Sequence, residues 1–186
     1  MKKLESSLLN MVLVLTGVAV IMGAVLAFVN HVTSGPIEEQ KKLALENGIK
    51  TVMQADDLTV TKTDTVKMNV DGKEQVYIVY NNEKGAAVQS STMGFGGELK
   101  VLVGFDTDGN ILGYTLLEHQ ETPGLGAKAD QWFQKGQKGD IIGKNPAEGL
   151  IVSKDGGKVD AITASTITSR AFLRAVTNAY NAYKAN

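Results

Sequence analysis

Residues 8–29 read LLNMVLVLTGVAVIMGAVLAFV, a run with no charge whose one strongly polar member, Asn10, sits near its start. As a helix rising 1.5 Å per residue it reaches roughly 33 Å, enough to cross the hydrocarbon core of a bilayer. A cleaved signal peptide usually has an apolar region of about 7–15 residues followed by a small-x-small cleavage site. This run is longer and ends Leu26-Ala27-Phe28-Val29 without such a site, so the expectation is an uncleaved anchor. Lys2 and Lys3 precede it, and no Lys or Arg follows until Lys41. The positive-inside rule then places residues 1–7 in the cytoplasm and the rest of the chain beyond the membrane. The expected organisation follows: a tail at 1–7, a transmembrane helix at 8–29, a juxtamembrane helix and linker at 30–58, and one domain of ordinary size at 59–186.

The 186 residues hold 19 Lys and Arg against 20 Asp and Glu, a net charge of −1. That balance gives no electrostatic footprint for nucleic acid. Membrane lipid is the expected partner of the anchor alone. Cysteine is absent, which excludes disulfides, thiolate nucleophiles, iron–sulfur clusters and Cys-type zinc sites. His31 and His119 are the only histidines, too few for a His-rich metal site. Redox work by this chain would fall to an organic cofactor or one held by oxygen ligands.

Beyond the anchor the pattern is α+β. Ser34-Gly35-Pro36 is read as a break, with Pro36 in the first turn of a new helix over 37–54. Leu45, Ile49, Val52 and Met53 fall near helical spacing there, with Gly48 a weak point. Val66, Met68 and Val70 alternate, as do Val76, Ile78 and Tyr80, and Asp71-Gly72 between them signals a tight hairpin. A second hairpin joins residues 99–105 and 111–118 through Asp106-Thr107-Asp108-Gly109-Asn110. That turn lacks the Gly and Glu of a calcium loop, since Ile111 and Leu117 stand there. Residues 128–135 suggest a short helix with Trp132 and Phe133 in the core, and 135–151 a Gly-rich loop. The last helix is expected from about Thr168 to Lys184, with Phe172, Val176, Ala179, Tyr180 and Tyr183 as its apolar stripe. The hydroxyl residues at 163, 165, 166, 168 and 169 would cap it.

Three stretches could carry chemistry, and each has a plain structural reading beside it. Gly94-Phe95-Gly96-Gly97 allows close backbone approach to a ligand or is only a turn. Glu121-Thr122-Pro123-Gly124-Leu125-Gly126 lies between a strand and a helix, as a rigid binding loop or a structural turn. Residues 160–170, DAITASTITSR, open the last helix. A helix N-terminus offers unpaired N–H groups and partial positive charge, a ready phosphate site, to which Arg170 could add a full charge. The same residues could equally be a capping cluster.

Taken together and in this order, the three stretches and the single N-terminal span resemble the FMN-binding domain of the G subunit of the Rnf electron-transport complex. The C subunit of the sodium-pumping NADH:quinone reductase is a close relative of the same pattern. The family's flavinylation motif is Asp, two residues, Ser or Thr, Gly, Ala, Thr. Asp160, Thr163 and Thr166 match it, while Ala164 and Ser165 replace the Gly and Ala. The resemblance implies FMN held covalently through a phosphoester to Thr166, attached by a separate magnesium-dependent flavin transferase that uses FAD. It implies a pocket shaped by Glu121, Thr122, Gly124, Leu125 and Gly126, with Gly96, Gly97, Thr163 and Ser165 beside the cofactor.

The function so implied is electron transfer within a complex of membrane subunits in the bacterial inner membrane. The complex would couple ferredoxin:NAD⁺ oxidoreduction to movement of Na⁺ or H⁺. This chain would be single-pass with its FMN domain extracytoplasmic, and not a complete enzyme alone. The Rnf G subunit is preferred because little is inserted between the anchor and the first hairpin. The other readings are the C subunit of the reductase, a stand-alone extracytoplasmic flavoprotein, and a non-redox anchored binding or sensory domain.

Overall fold

A computed structural model describes residues 8–55 and 59–186. The expected cytoplasmic tail at 1–7 lies outside the described residues. The chain divides into two compact units, Met1–Leu43 and Ala44–Asn186.

The described part of the first unit is helical. Helix α1 runs Leu8–Met53 and contains Pro36. Its apolar N-terminal stretch is long enough to span a membrane, and none of its most apolar window is buried. Leu13, Ile21, Leu26 and Phe28 are all exposed, as side chains meant for lipid would be. The expected break at Ser34-Gly35-Pro36 is therefore corrected, and the separate helix over 37–54 is the continuation of α1. Pro36 lacks the N–H that would bond one turn back. Polar side chains of that turn bond back to main-chain carbonyls: Thr33 Oγ1 donates to Val29 O at 2.9 Å, and Ser34 Oγ donates to His31 O at 3.1 Å. The helix runs on through the proline without a break.

The second unit is built on a five-stranded antiparallel meander in the order β1-β2-β3-β4-β5. The strands are β1 Lys62–Val70, β2 Lys73–Asn82, β3 Gly85–Met93, β4 Glu98–Asp106 and β5 Ile111–His119. Both expected hairpins are present. Val70 pairs with Lys73 across Asp71 (φ 53°) and Gly72 (φ 78°), a two-residue turn with both central residues left-handed. In the second hairpin Asp106 Oδ1 accepts from Asn110 N at 2.8 Å and Asp108 N at 3.0 Å. Burial pushes the Asp106 carboxyl up, but the Asn110 side chain and the N–H groups of Asn110, Asp108 and Gly109 outweigh it and hold it below the usual range.

The sheet is covered on both faces, which the alternation of its strands does not announce. One face meets helix α3, Thr166–Ala185, in a core that includes Tyr77, Val79, Val88, Phe105, Phe133 and Phe172. The other face meets the end of α1, where Ile49, Val52 and Met53 pack with Tyr80, Ala87 and Leu102. Ile78 and Tyr80 thus belong to the α1 side, and Val76 on that side is exposed. The end of α1 comes so close that a Cβ on Gly104 would strike the Val52 carbonyl, while one on the paired Gly113 would lie 3.0 Å from it. Overpacking of this kind costs about 1–3 kcal/mol. Gly104→Ala is expected to lower the stability of the full chain by that amount, read as a fall in the urea midpoint. An unchanged midpoint would show that α1 does not pack there.

Candidate functional site

Glu121 lies just beyond β5, in the loop that leads to a 3-10 turn at Gly126–Lys128 and helix α2, Ala129–Trp132. Its residue is only 6 % exposed, and a carboxylate so deeply buried needs donors on both oxygens. Oε1 accepts from Phe95 N at 2.7 Å and Gly96 N at 3.2 Å. Oε2 accepts from Thr168 Oγ1 at 2.7 Å. One side chain thereby joins the three stretches singled out in the sequence. A Cβ on Gly94 or Gly126 would collide with the Glu121 carboxylate, so these glycines make room for it. The backbone N–H of Glu121 in turn donates to His119 Nδ1 at 3.3 Å.

Helix α2, just past this loop, is held by Tyr114 of β5. Its hydroxyl donates to Ala129 O at 2.8 Å and accepts from Phe133 N at 3.1 Å. Burial pushes the Tyr114 hydroxyl far above its ordinary pKa, so it stays a neutral donor. Phe133 stacks on Phe172 of α3 at 4.4 Å, and Tyr114 meets the same ring edge-on at 4.8 Å. These contacts tie β5 and α2 to α3.

The start of α3 differs from the expected capping cluster. The helix begins at Thr166 rather than Thr168, and Ser165 at the N-cap makes no side-chain bond to it. Two of the other hydroxyls expected to cap lie inside the helix and bond elsewhere. Thr168 is turned to Glu121, while Ser169 Oγ donates to Ser165 O and accepts from Ile162 N. A helix end without a side-chain cap leaves N–H groups and partial positive charge available to an anion. Arg170 does not supply the expected charge to this end. It forms a two-pronged pair with Asp155, Nε to Oδ2 at 2.7 Å and Nη2 to Oδ1 at 2.6 Å. That hydrogen bonding holds the Asp155 carboxyl below the usual range.

Ala164 adopts φ 60°, a left-handed conformation that costs a residue with a Cβ roughly 1–2 kcal/mol. This is the position where the flavinylation motif has glycine, and the backbone explains that preference. Allowing for the greater unfolded freedom of glycine, Ala164→Gly is expected to stabilise the domain by about 0.5–1 kcal/mol. A small rise in thermal midpoint would register it, and a fall would contradict the strain.

Between these elements lies a pocket of about 370 Å³ lined by Phe95, Glu121, Thr122, Leu125 and Gly126 on one side and residues 164–168 on the other. That volume is within the usual range for small-molecule sites. Of the residues expected at the cofactor, Glu121, Thr122, Leu125, Gly126, Ser165 and Thr166 line it. Gly96, Gly97, Gly124 and Thr163 do not; a Cβ on Gly96 or Gly97 would instead meet Gln120. Four lining residues were not anticipated as contacts: Phe95, Ala164, Ile167 and Thr168. Phe95 and Ile167 are exposed apolar side chains, a feature legible only once the fold places them beside Leu125.

Residues 94–181 match the family model described as the FMN-binding domain. Curated relatives extend the likeness along the chain. The G subunit of the ion-translocating oxidoreductase complex of Shewanella baltica (strain OS223) is 34% identical over 175 residues, 87% of this chain and 82% of that protein. The G subunit of the proton-translocating ferredoxin:NAD(+) oxidoreductase complex of Clostridium ljungdahlii is 33% identical over 171 residues, 89% and 85% of the two chains. Its counterpart in the ion-translocating oxidoreductase complex of Vibrio parahaemolyticus serotype O3:K6 is 35% identical over 156 residues, 78% and 74%. The chain belongs to the family of G subunits of the ion-translocating oxidoreductase complexes, the Rnf type.

Proposed function

We infer that this chain is the FMN-carrying electron-transfer component of an Rnf-type membrane complex that couples ferredoxin:NAD⁺ oxidoreduction to movement of Na⁺ or H⁺. The observation that carries the reading is the convergence of Phe95, four residues of the 121–126 loop and residues 164–168 on one pocket. The residues present fit FMN. Phe95, Leu125 and Ile167 are apolar groups for a flavin ring, and the start of α3 is an N-terminus without a side-chain cap for a phosphoryl group. FMN supplies the redox chemistry; the protein holds it, orients it and sets its surroundings.

Thr166 is the acceptor of a phosphoester to FMN, with Thr163 and Ser165 as neighbours in the motif. Attachment joins Thr166 Oγ1 to the flavin-side phosphorus of FAD and breaks the phosphoanhydride. AMP leaves, and the hydroxyl proton passes to the magnesium-dependent transferase that makes the bond. The diester keeps one negative charge, which the α3 N-terminus favours by roughly 0.3–1 kcal/mol. Covalent attachment also prevents loss of the cofactor on a membrane face where no FMN pool replaces it. That face is the extracytoplasmic side of the bacterial inner membrane: residues 8–29 span it and Lys2 and Lys3 hold the N-terminus in the cytoplasm.

The test is purification of the full chain after co-expression with the transferase, followed by denaturation. Flavin fluorescence should comigrate with the protein band, and the chain should copurify with the other membrane subunits. Flavin released by denaturation would overturn the covalent link. Flavin without copurifying subunits would favour the stand-alone flavoprotein. A C-terminal reporter active in the cytoplasm would overturn the orientation.

A further inference from the structure

Three consecutive residues, Ser153, Lys154 and Asp155, form a 3-10 turn whose side chains each reach the segment that opens α3. Ser153 Oγ donates to Asp160 Oδ1 at 3.2 Å. Lys154 Nζ donates to Thr166 Oγ1 at 3.2 Å. Asp155 takes both prongs of Arg170. The turn itself is held by Ser153 N bonding Val159 O at 2.8 Å and Gly157 N bonding Val152 O at 3.1 Å. Its two flanking contacts therefore grip the first and last residues of the 160–170 stretch and aim the middle one at Thr166. Among the described residues, Lys154 has no carboxylate partner, so its charge is not already neutralised.

We propose that Lys154 is a positioning residue for flavin attachment: its ammonium orients the Thr166 oxygen and stabilises the negative charge that develops there and remains on the diester. This rests on the reading of Thr166 as the acceptor. Lys154 Nζ is the donor in its contact with Thr166 Oγ1. It contributes as a charged donor, and a charged donor strengthens as its acceptor oxygen becomes anionic. Arg170, the nearer cation in sequence, is engaged with Asp155, and that bond ties the turn carrying Lys154 to α3.

The experiment follows the rate of flavin incorporation into the purified full-length chain, in detergent, with the transferase, FAD and Mg²⁺. Wild type, Thr166→Ala, Lys154→Gln and Lys154→Arg are compared by fluorescence after denaturation. Lys154→Gln is expected to lower kcat for incorporation by about tenfold, the size of one charge-assisted hydrogen bond at an exposed site. Lys154→Arg should recover most of the rate, with KM for the chain and the unfolding midpoint unchanged. Incorporation into Lys154→Gln at the wild-type rate overturns the proposal. So does a loss confined to KM, which would place Lys154 in docking to the transferase, and so does an arginine variant as slow as the glutamine one. Wild type that takes no flavin, or Thr166→Ala that takes as much, overturns the acceptor reading itself and the proposal with it.

Discussion

Thr166→Ala is expected to yield a folded chain that carries no flavin after denaturation, while Thr166→Ser still carries it. A phosphoester needs an aliphatic hydroxyl oxygen, and alanine has none; serine restores the oxygen and removes only a methyl. The neighbouring hydroxyls are poor substitutes for reasons visible in their bonding. Thr168 is buried and donates to Glu121, and Ser169 is buried between Ser165 O and Ile162 N. Thr163 is exposed and lies outside the pocket lining. Thr166 is half-buried, lines the pocket and accepts from Lys154. Ser165 also lines the pocket, so peptide mass spectrometry must distinguish residues 165 and 166. An FMN adduct on Ser165, or flavin retained by Thr166→Ala, would sink the assignment. Stability should change by less than about 1 kcal/mol, because no core contact is removed.

Much of the architecture was legible because it rests on signals of short range. Asp71-Gly72 and the 106–110 turn declare their hairpins, and the apolar stripe of α3 declares its buried face. Strand β3 escaped notice because its inward residues, Ala86, Val88 and Ser90, are mostly small or polar. It is a strand because β2 and β4 flank it on both sides, and that pairing is not local. Pro36 misled for the complementary reason. A proline predicts a break, but it removes a single N–H from a helix that the turns on either side continue. The site divides the same way. The motif singles out Thr166 and the 121–126 loop, and the fold brings both to one pocket. It could not locate Lys154, which reaches Thr166 from a separate turn, nor see that Arg170 is engaged with Asp155.

Glu121→Ala is expected to destabilise the domain by about 2–4 kcal/mol and to slow flavin incorporation as well. The mutation withdraws the shared acceptor of Phe95 N, Gly96 N and Thr168 Oγ1. Hydrogen bonds to a charged group are worth about 1.5–3 kcal/mol each, and donors left buried without a partner add their desolvation cost. The sum is reduced because Phe95 is exposed and water can reach the N–H groups of its loop. Thr168 has no such recourse, being buried on α3 two residues beyond Thr166, so the loss should disturb Thr166 too. Glu121→Gln discriminates a clamp from a flavin contact. The amide oxygen can still accept from Phe95 and Gly96, and the amide nitrogen can donate to the Thr168 hydroxyl once it rotates. Glutamine should therefore retain the fold within about 1 kcal/mol and keep most of the incorporation rate. Urea midpoints together with incorporation rates separate the outcomes. A Glu121→Ala chain as stable as wild type would mean the carboxylate does not join the three stretches. A Glu121→Gln chain that folds normally yet takes no flavin would mean that the charge itself, rather than the clamp, serves the cofactor.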